Sequence, residues 1–360
     1  MKKITNLEYN TLIWFIIRAG LVGLSIKNII SISKQDSWIS ALIALILGIF
    51  PLLIFLYLKN YDEKLNILNL NNKVFGNKGT ILNMILAVGT FLLVLIAFLN
   101  LTYFVNSQFL FKTKYIYISI CFIIPIIYAL IKGINAITKT SLILLYFVII
   151  IIIIIIFSLY PNINIDNIKP ILETSKQNIF SSALLLIAYN VLPLVLLLII
   201  PKEKIKNYNI KTSLISYLLA MGSIANAAFF TISIFGKNLA LIYDYPEFHI
   251  LKKVKVGDFA DRLENVLVLE WIIALFILIV IGLYFITETL KKEFKLKEKT
   301  SKFVSTIACL LILLISQFSL TLNESIPTLL ENALVPILYI CFLIIPLITM
   351  IAIKLKKLKC

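Results

Sequence analysis

Ten long apolar stretches run through this chain, at about residues 10–30, 37–58, 80–106, 115–132, 140–160, 179–200, 212–236, 264–287, 303–322 and 331–353. Each is long enough to cross a bilayer core, which takes roughly 20 apolar residues as a helix. Of the 360 residues, 61% are hydrophobic and 14% charged, a balance that a water-soluble domain cannot bury. In lipid every backbone polar group needs an internal partner, so the spans must be helices or strands of a closed barrel. A barrel would show short segments of alternating polarity, and none are present. The sequence therefore predicts an all-α integral membrane protein with ten transmembrane helices. No soluble domain interrupts it, so residues 1–360 form a single transmembrane domain.

Lysine and arginine divide unevenly between the two sets of connections. The set that includes both termini carries 22, the opposite set carries 11, and Arg18 lies within the first span. Positive residues collect on the cytoplasmic side, so both termini are expected there, as an even number of spans requires. The net charge of +16 is then topogenic and faces anionic membrane lipid. Nucleic acid is not an expected partner, because the lysines are spread over short loops and form no single patch.

Several chemistries are absent from the sequence. Lys2 and Lys3 resemble the start of a signal peptide, but the apolar run after them is too long and lacks a small-residue cleavage site. The four cysteines (Cys121, Cys309, Cys341, Cys360) have neither metal nor redox spacing and read as packing residues. His249 is the one histidine, which argues against imidazole metal sites and histidine-dependent nucleophiles. No phosphate loop or nucleophile elbow is found. No catalytic residue, metal or cofactor is expected. The acidic set Asp258, Asp261 and Glu264, which an interfacial enzyme would need, is accounted for by helix capping. Heavy use of isoleucine, lysine and asparagine, with an unbroken isoleucine run from Ile149 to Ile156, suits an AT-rich bacterial genome.

The informative positions are polar or irregular residues at mid-membrane depth, which are costly unless they line a cavity or meet each other. The first span carries Gly20 and Gly23 three apart near its middle. Glycine tolerates unusual backbone angles, and a helix opened there exposes N–H groups and carbonyls. The same spacing also serves a close helix–helix contact. In the sixth span Pro193 lacks an amide hydrogen, which leaves carbonyls near Ala188 and Tyr189 in need of other partners. Spans one and six are corresponding members of two five-span halves, at about 10–160 and 179–353. Paired interruptions at such positions point to an inverted-repeat binding site. Asn100 and Tyr103 share a face of span three and join the candidate ligand site. Asn226, Glu270 and Gln317 read as groups satisfying neighbouring helices. Arg18 can meet its cost by pairing with Glu270, by capping freed carbonyls, or by reaching an interface.

Between spans seven and eight lies a long external connection, about 237–263. Pro246 can open a short helix at its first position. Asp258 can cap the next helix and pair with Arg262 four residues on. Trp271 reads as an interfacial anchor. The amphipathic segment is placed to cover the mouth of a central cavity, with Asp258, Arg262 and Glu264 as an external gate.

The order Phe235-Gly236, Tyr245-Pro246, Gly257-Asp258-Phe259, Arg262-Leu263-Glu264 and Trp271 resembles the B subunit of bacterial spore-germination nutrient receptors. Asp36-Ser37-Trp38 at the head of span two and Gly76-Asn77-Lys78-Gly79 before span three resemble two further elements of that family. The resemblance covers nearly the whole chain. It implies the amino acid–polyamine–organocation superfamily, with a five-plus-five inverted repeat and broken first and sixth helices. It implies a sensor of small nutrients, often amino acids, in the bacterial cell membrane or spore inner membrane. Its partners would be receptor A and C subunits. Carried over residue by residue, the ligand falls at Ala19, Gly20 and Gly23 of span one and at Tyr189 and Asn190 of span six. An amino-acid permease of the same fold is the alternative.

Overall fold

A computed structural model describes residues 3–253, 266, 268–322 and 333–356. Among these, nine helices are long and apolar enough to cross a membrane. The first of the nine, Gly23–Tyr61, consists of two arms. The chain turns at Lys34, which has φ 49°, through a short 3-10 turn Lys34–Asp36. Ile26–Ser33 and Ser37–Leu47 then pack against the same helix, Lys176–Leu186, on either side of the turn. The Lys59 ammonium, near the end of the second arm, stands 4.4 Å from the centroid of the Tyr9 ring near the start of the chain. The two arms are therefore antiparallel crossings. The first arm is continuous with the helix Asn6–Ala19, so residues 6–33 and 37–61 are two separate, oppositely directed helical stretches.

The first crossing comprises Asn6–Ala19, a π-helical turn Leu21–Ser25, and Ile26–Ser33. A capping box starts it, with Thr5 accepting from the Glu8 amide and Glu8 accepting from the Thr5 amide. The second crossing is Ser37–Leu47 with Ile49–Tyr61. Asn77–Gln108, Tyr115–Lys132 and Ile134–Leu159 follow. The sixth changes pitch twice, from α over Lys176–Leu186 to π over Ile187–Val191 to 3-10 over Leu192–Ile199. Ile210–Ile242 kinks at Gly236, with φ 68°. Leu269–Glu293, Glu298–Leu322 and the helix over Ala333–Leu355 complete the set.

Burial separates inner from outer crossings. In span six 89% of the apolar window is buried and in span eight 72%, against 17% in span five. The isoleucine run explains the last value: Ile149, Ile150 and Ile153 are exposed on one face, while Ile151 packs inward. Span eight packs against spans one and three, and this group forms the centre. Residues Ile4–Thr5 form a parallel two-residue strand pair with Ile205–Lys206, which joins the N-terminus to the connection after span six. Lys59 also donates to the carbonyls of Leu197 and Ile200, capping the last turn of span six.

Asp36 ties two distant connections together. Its carboxylate accepts from the Leu172 amide at 2.8 Å and the Thr174 amide at 2.9 Å, and Thr174 Oγ1 donates to the Ser33 carbonyl. The turn after span one is thus bonded to the segment that enters span six.

Candidate functional site

Gly23 sits at the break in span one with φ +66°, a region open to glycine and strained for other residues. Its N–H does not continue the helix ladder and donates instead to Glu247 Oε1 at 2.9 Å. A side chain at this position would meet Asn100 Oδ1 at 2.5 Å and Tyr245 Cε1 at 2.6 Å. Tyr245 donates to Asn100 Oδ1 at 3.2 Å, and its ring lies 6.5 Å from that of Tyr103. Asn100 and Tyr103 therefore reach the break from span three, while Tyr245 and Glu247 reach it from the external connection.

Gly20 meets span six without any gap. A Cβ there would lie 2.6 Å from both Asn190 Oδ1 and the Tyr189 carbonyl oxygen. Pro193 cannot return an N–H toward Tyr189, so this carbonyl is left to face span one. Asn190 Nδ2 donates back to the Leu186 carbonyl at 2.9 Å, while its Oδ1 is buried without a hydrogen-bond partner. Ser25 Oγ takes up the Gly20 carbonyl at 2.6 Å. Ala19 is buried as the last residue of the first helical segment. The two irregularities thus differ in kind: span one carries a left-handed Gly23 inside its π-helical turn Leu21–Ser25, whereas span six changes only its pitch.

Two separate contacts involve the expected site residues: Gly20 meets Tyr189 and Asn190, and Gly23 meets Asn100 and Tyr245, the latter beside Tyr103. The expected external gate (Asp258, Arg262 and Glu264) lies outside the described residues. The part of that connection that is described begins as the sequence predicts, with Pro246 opening the helix Pro246–His249. Trp271 corrects an expectation. It is 3% exposed, with its ring centroid 6.3 Å from that of Phe104 and 6.4 Å from that of Phe248, so it anchors the connection inward and not to lipid.

Arg18 takes the first of its three options. Its Nε and Nη2 donate to the two oxygens of Glu270 at 2.7 and 2.6 Å, and Nη1 donates to Ser223 Oγ at 2.9 Å. Both residues are essentially buried, and the pair joins spans one and eight one turn below the break. Gln317 satisfies a neighbouring helix through Ser119 at 2.8 Å.

Neither Glu247 nor Tyr245 is among the ligand-site residues expected from the sequence; Tyr245 enters there only in the family-like Tyr245-Pro246 pair. The only available signal was an acid after Tyr-Pro in a loop that otherwise reads as amphipathic. Glu247 lies in the connection outside the spans and is 1% exposed, so burial pushes its carboxyl up to about 7 despite the Gly23 hydrogen bond. His249, stacked on Tyr243 at 4.0 Å, is pushed down to about 4 by burial and by Lys252. Among the described residues no three histidine, cysteine or acidic groups converge on a possible metal position. What the arrangement offers is hydrogen-bond donors and acceptors around an opened helix, a combination suited to binding.

Comparison with known proteins follows the same lines. The family profile described as spore germination protein matches residues 3–325. A Bacillus subtilis (strain 168) protein assigned to spore germination, YfkT, is 25% identical over 272 residues, covering 74% of each chain. Among solved structures, MhsT in complex with L-phenylalanine superposes with a TM-score of 0.60 at 13% identity, covering 99% of this chain and 89% of that one. A manganese transporter of Eremococcus coleocola gives 0.51 at 11% identity, covering 94% and 75%. At these identities the likeness concerns the fold alone, which is that of inverted-repeat transporters. The chain belongs to the spore germination protein family and is an integral membrane protein of that fold.

Proposed function

We propose that this chain is the nutrient-sensing subunit of a spore germinant receptor, binding a small solute, an amino acid, where spans one and six meet. The ligand residues are Ala19, Gly20, Gly23, Asn100, Tyr103, Tyr189 and Asn190. The observation that carries the reading is the opened backbone at Gly23, ringed by polar groups from span three and the external connection. Such openings bind zwitterions because the N–H and C=O groups they release are fixed in place before the ligand arrives. MhsT, which shares the fold, holds L-phenylalanine in its crystal structure. The chain performs no covalent chemistry in this reading. The two repeats, about 10–160 and 179–353, change their relation when the site fills, and receptor A and C subunits read the change. Both termini are cytoplasmic, in line with the lysine count and with the pairing of Ile4–Thr5 to Ile205–Lys206. The external gate, Asp258, Arg262 and Glu264, belongs to this proposal on sequence grounds.

The test is a thermal-unfolding screen of the purified chain against the common amino acids. A ligand that binds only the folded state raises its stability. One or more amino acids should raise the midpoint, and Asn190→Ala, which removes a candidate ligand side chain without crowding Gly20, should reduce that rise. If no amino acid acts on the parent chain, the reading fails.

A permease of the same fold is the second reading. It is favoured by a depression of about 520 Å³ on the face that carries Lys3 and Lys204, with Tyr284 and Glu288 of span eight in its wall. Uptake of radiolabelled amino acid into vesicles containing this chain alone would establish it.

A further inference from the structure

The contact that holds Gly23 leaves half of a carboxylate unused. Glu247 Oε1 accepts the Gly23 N–H, but Oε2 has no hydrogen-bond partner although the residue is 1% exposed. The cations nearby are committed elsewhere. Arg18 spends its donors on Glu270 and Ser223, and Lys27 pairs with Asp244 at 2.6 Å. Among the described residues no salt bridge reaches Glu247. A carboxylate removed from water needs a positive charge or a proton, since burying it alone is prohibitive.

A small cavity lies against this acid. It has about 50 Å³ of space between spans one, five, seven and eight; Glu247, Asn226, Ala227 and Trp271 are in its wall, as are Arg18 and Ser223, which are bonded to each other. One water needs roughly 10–15 Å³ on this scale, so the space accepts a group the size of about three waters. Ser223, Asn226 and Ala227 follow helical spacing on span seven and present one face to the space. Trp271 supplies an aromatic wall, which also favours a cation.

We propose that this cavity is a cation site in which Glu247 is the counter-charge, and that it takes one compact ammonium-type group. Asn226 supplies a further acceptor oxygen, while Ser223 Oγ already accepts from Arg18 and donates to the Ala220 carbonyl. The group is either the amine of the bound nutrient or a free monovalent ion, and the chemistry of recognition is the same for both. Filling the site fixes the Pro246–His249 segment to the break in span one. The inference concerns a different wall of span one from the Gly20–Asn190 contact, and it does not depend on which nutrient binds.

The experiment follows thermal unfolding of the full chain in lipid nanodiscs at constant ionic strength. Choline chloride is replaced by ammonium, methylammonium, tetramethylammonium or sodium chloride. Ammonium and methylammonium should raise the midpoint saturably, while tetramethylammonium, too large for the space, should not. Glu247→Gln keeps an acceptor for the Gly23 N–H and should abolish the rise. Ala227→Leu leaves Glu247 intact, fills the space, and should abolish it as well, which covers the case of a poorly folded Glu247 variant. Sodium protecting as well as ammonium identifies a free ion as the occupant. Protection by ammonium types alone, together with amino acids that compete with them, identifies the nutrient's amine. No protection of the parent chain by any of these cations, or equal protection of Glu247→Gln, overturns the proposal. A failed amino-acid screen with ammonium protection intact would overturn the nutrient reading alone.

Discussion

The Arg18–Glu270 pair makes a quantitative demand on the fold. Two parallel charge-assisted hydrogen bonds of 2.7 and 2.6 Å join side chains that are 5% and 0% exposed. Removing one partner of a buried pair leaves an uncompensated charge and costs about 3–5 kcal/mol. Arg18 would keep only Ser223 and its position 6.0 Å from the Trp14 ring, neither of which neutralises it. Glu270→Gln should therefore lose about 3–5 kcal/mol in reversible unfolding of the protein in mixed micelles. Removing both charges is different, because the desolvation cost of the pair disappears together with its attraction. The double variant Arg18→Met with Glu270→Met should be more stable than either single variant. Intrinsic fluorescence reports the transition directly, since Trp14 lies beside the pair and Trp271 follows Glu270 in span eight. If the two single losses simply add in the double variant, the residues are not coupled and the account of span one held to span eight is wrong.

Three further outcomes follow from named contacts. Gly23→Ala forces φ +66° on an alanine and sets its Cβ against Asn100 Oδ1, so it should cost about 1–3 kcal/mol and remove the amino-acid stabilisation, with both read from the same melts. Asp36→Ala removes two charge-assisted acceptors and should cost about 3 kcal/mol. Hydrogen exchange should speed up at the Leu172 and Thr174 amides while the Gly23 amide stays protected. Glu247, raised to about 7, holds a proton in the folded chain that the unfolded chain releases above about 4.5. Stability should therefore fall as pH rises from about 4.5 to 7, by about 3 kcal/mol in ammonium-free buffer. Glu247→Gln should flatten that slope, and an unchanged slope in the variant would assign it to another group.

The division between what the sequence discloses and what it hides follows contact range. The apolar helices are legible because hydropathy is a local property. The break is legible because Gly20 and Gly23 sit three apart inside an apolar run, and the pitch change in span six because Pro193 acts on its own helix. The choice of Glu270 for Arg18, across 252 positions, was one of three open options, and only packing resolved it. Glu247 and Asp36 were missed as ligands of distant amides because a lone acid in a loop is ordinarily solvated. Their roles arise from partners 224 and 136 or more residues away. Trp271 misled for the same reason: its depth in span eight suggested lipid, but the faces of Phe104 and Phe248 arrive from elsewhere in the chain.

Asp36 fastens the end of span one and the segment entering span six to a single side chain, while at the opposite end Lys59 clasps span six beside Tyr9. Any tilt of one outer half must then drag the other along. A rearrangement triggered at the centre would reach this end of the bundle as one concerted swing, displacing Lys34, the exposed residue of the turn, together with both crossings.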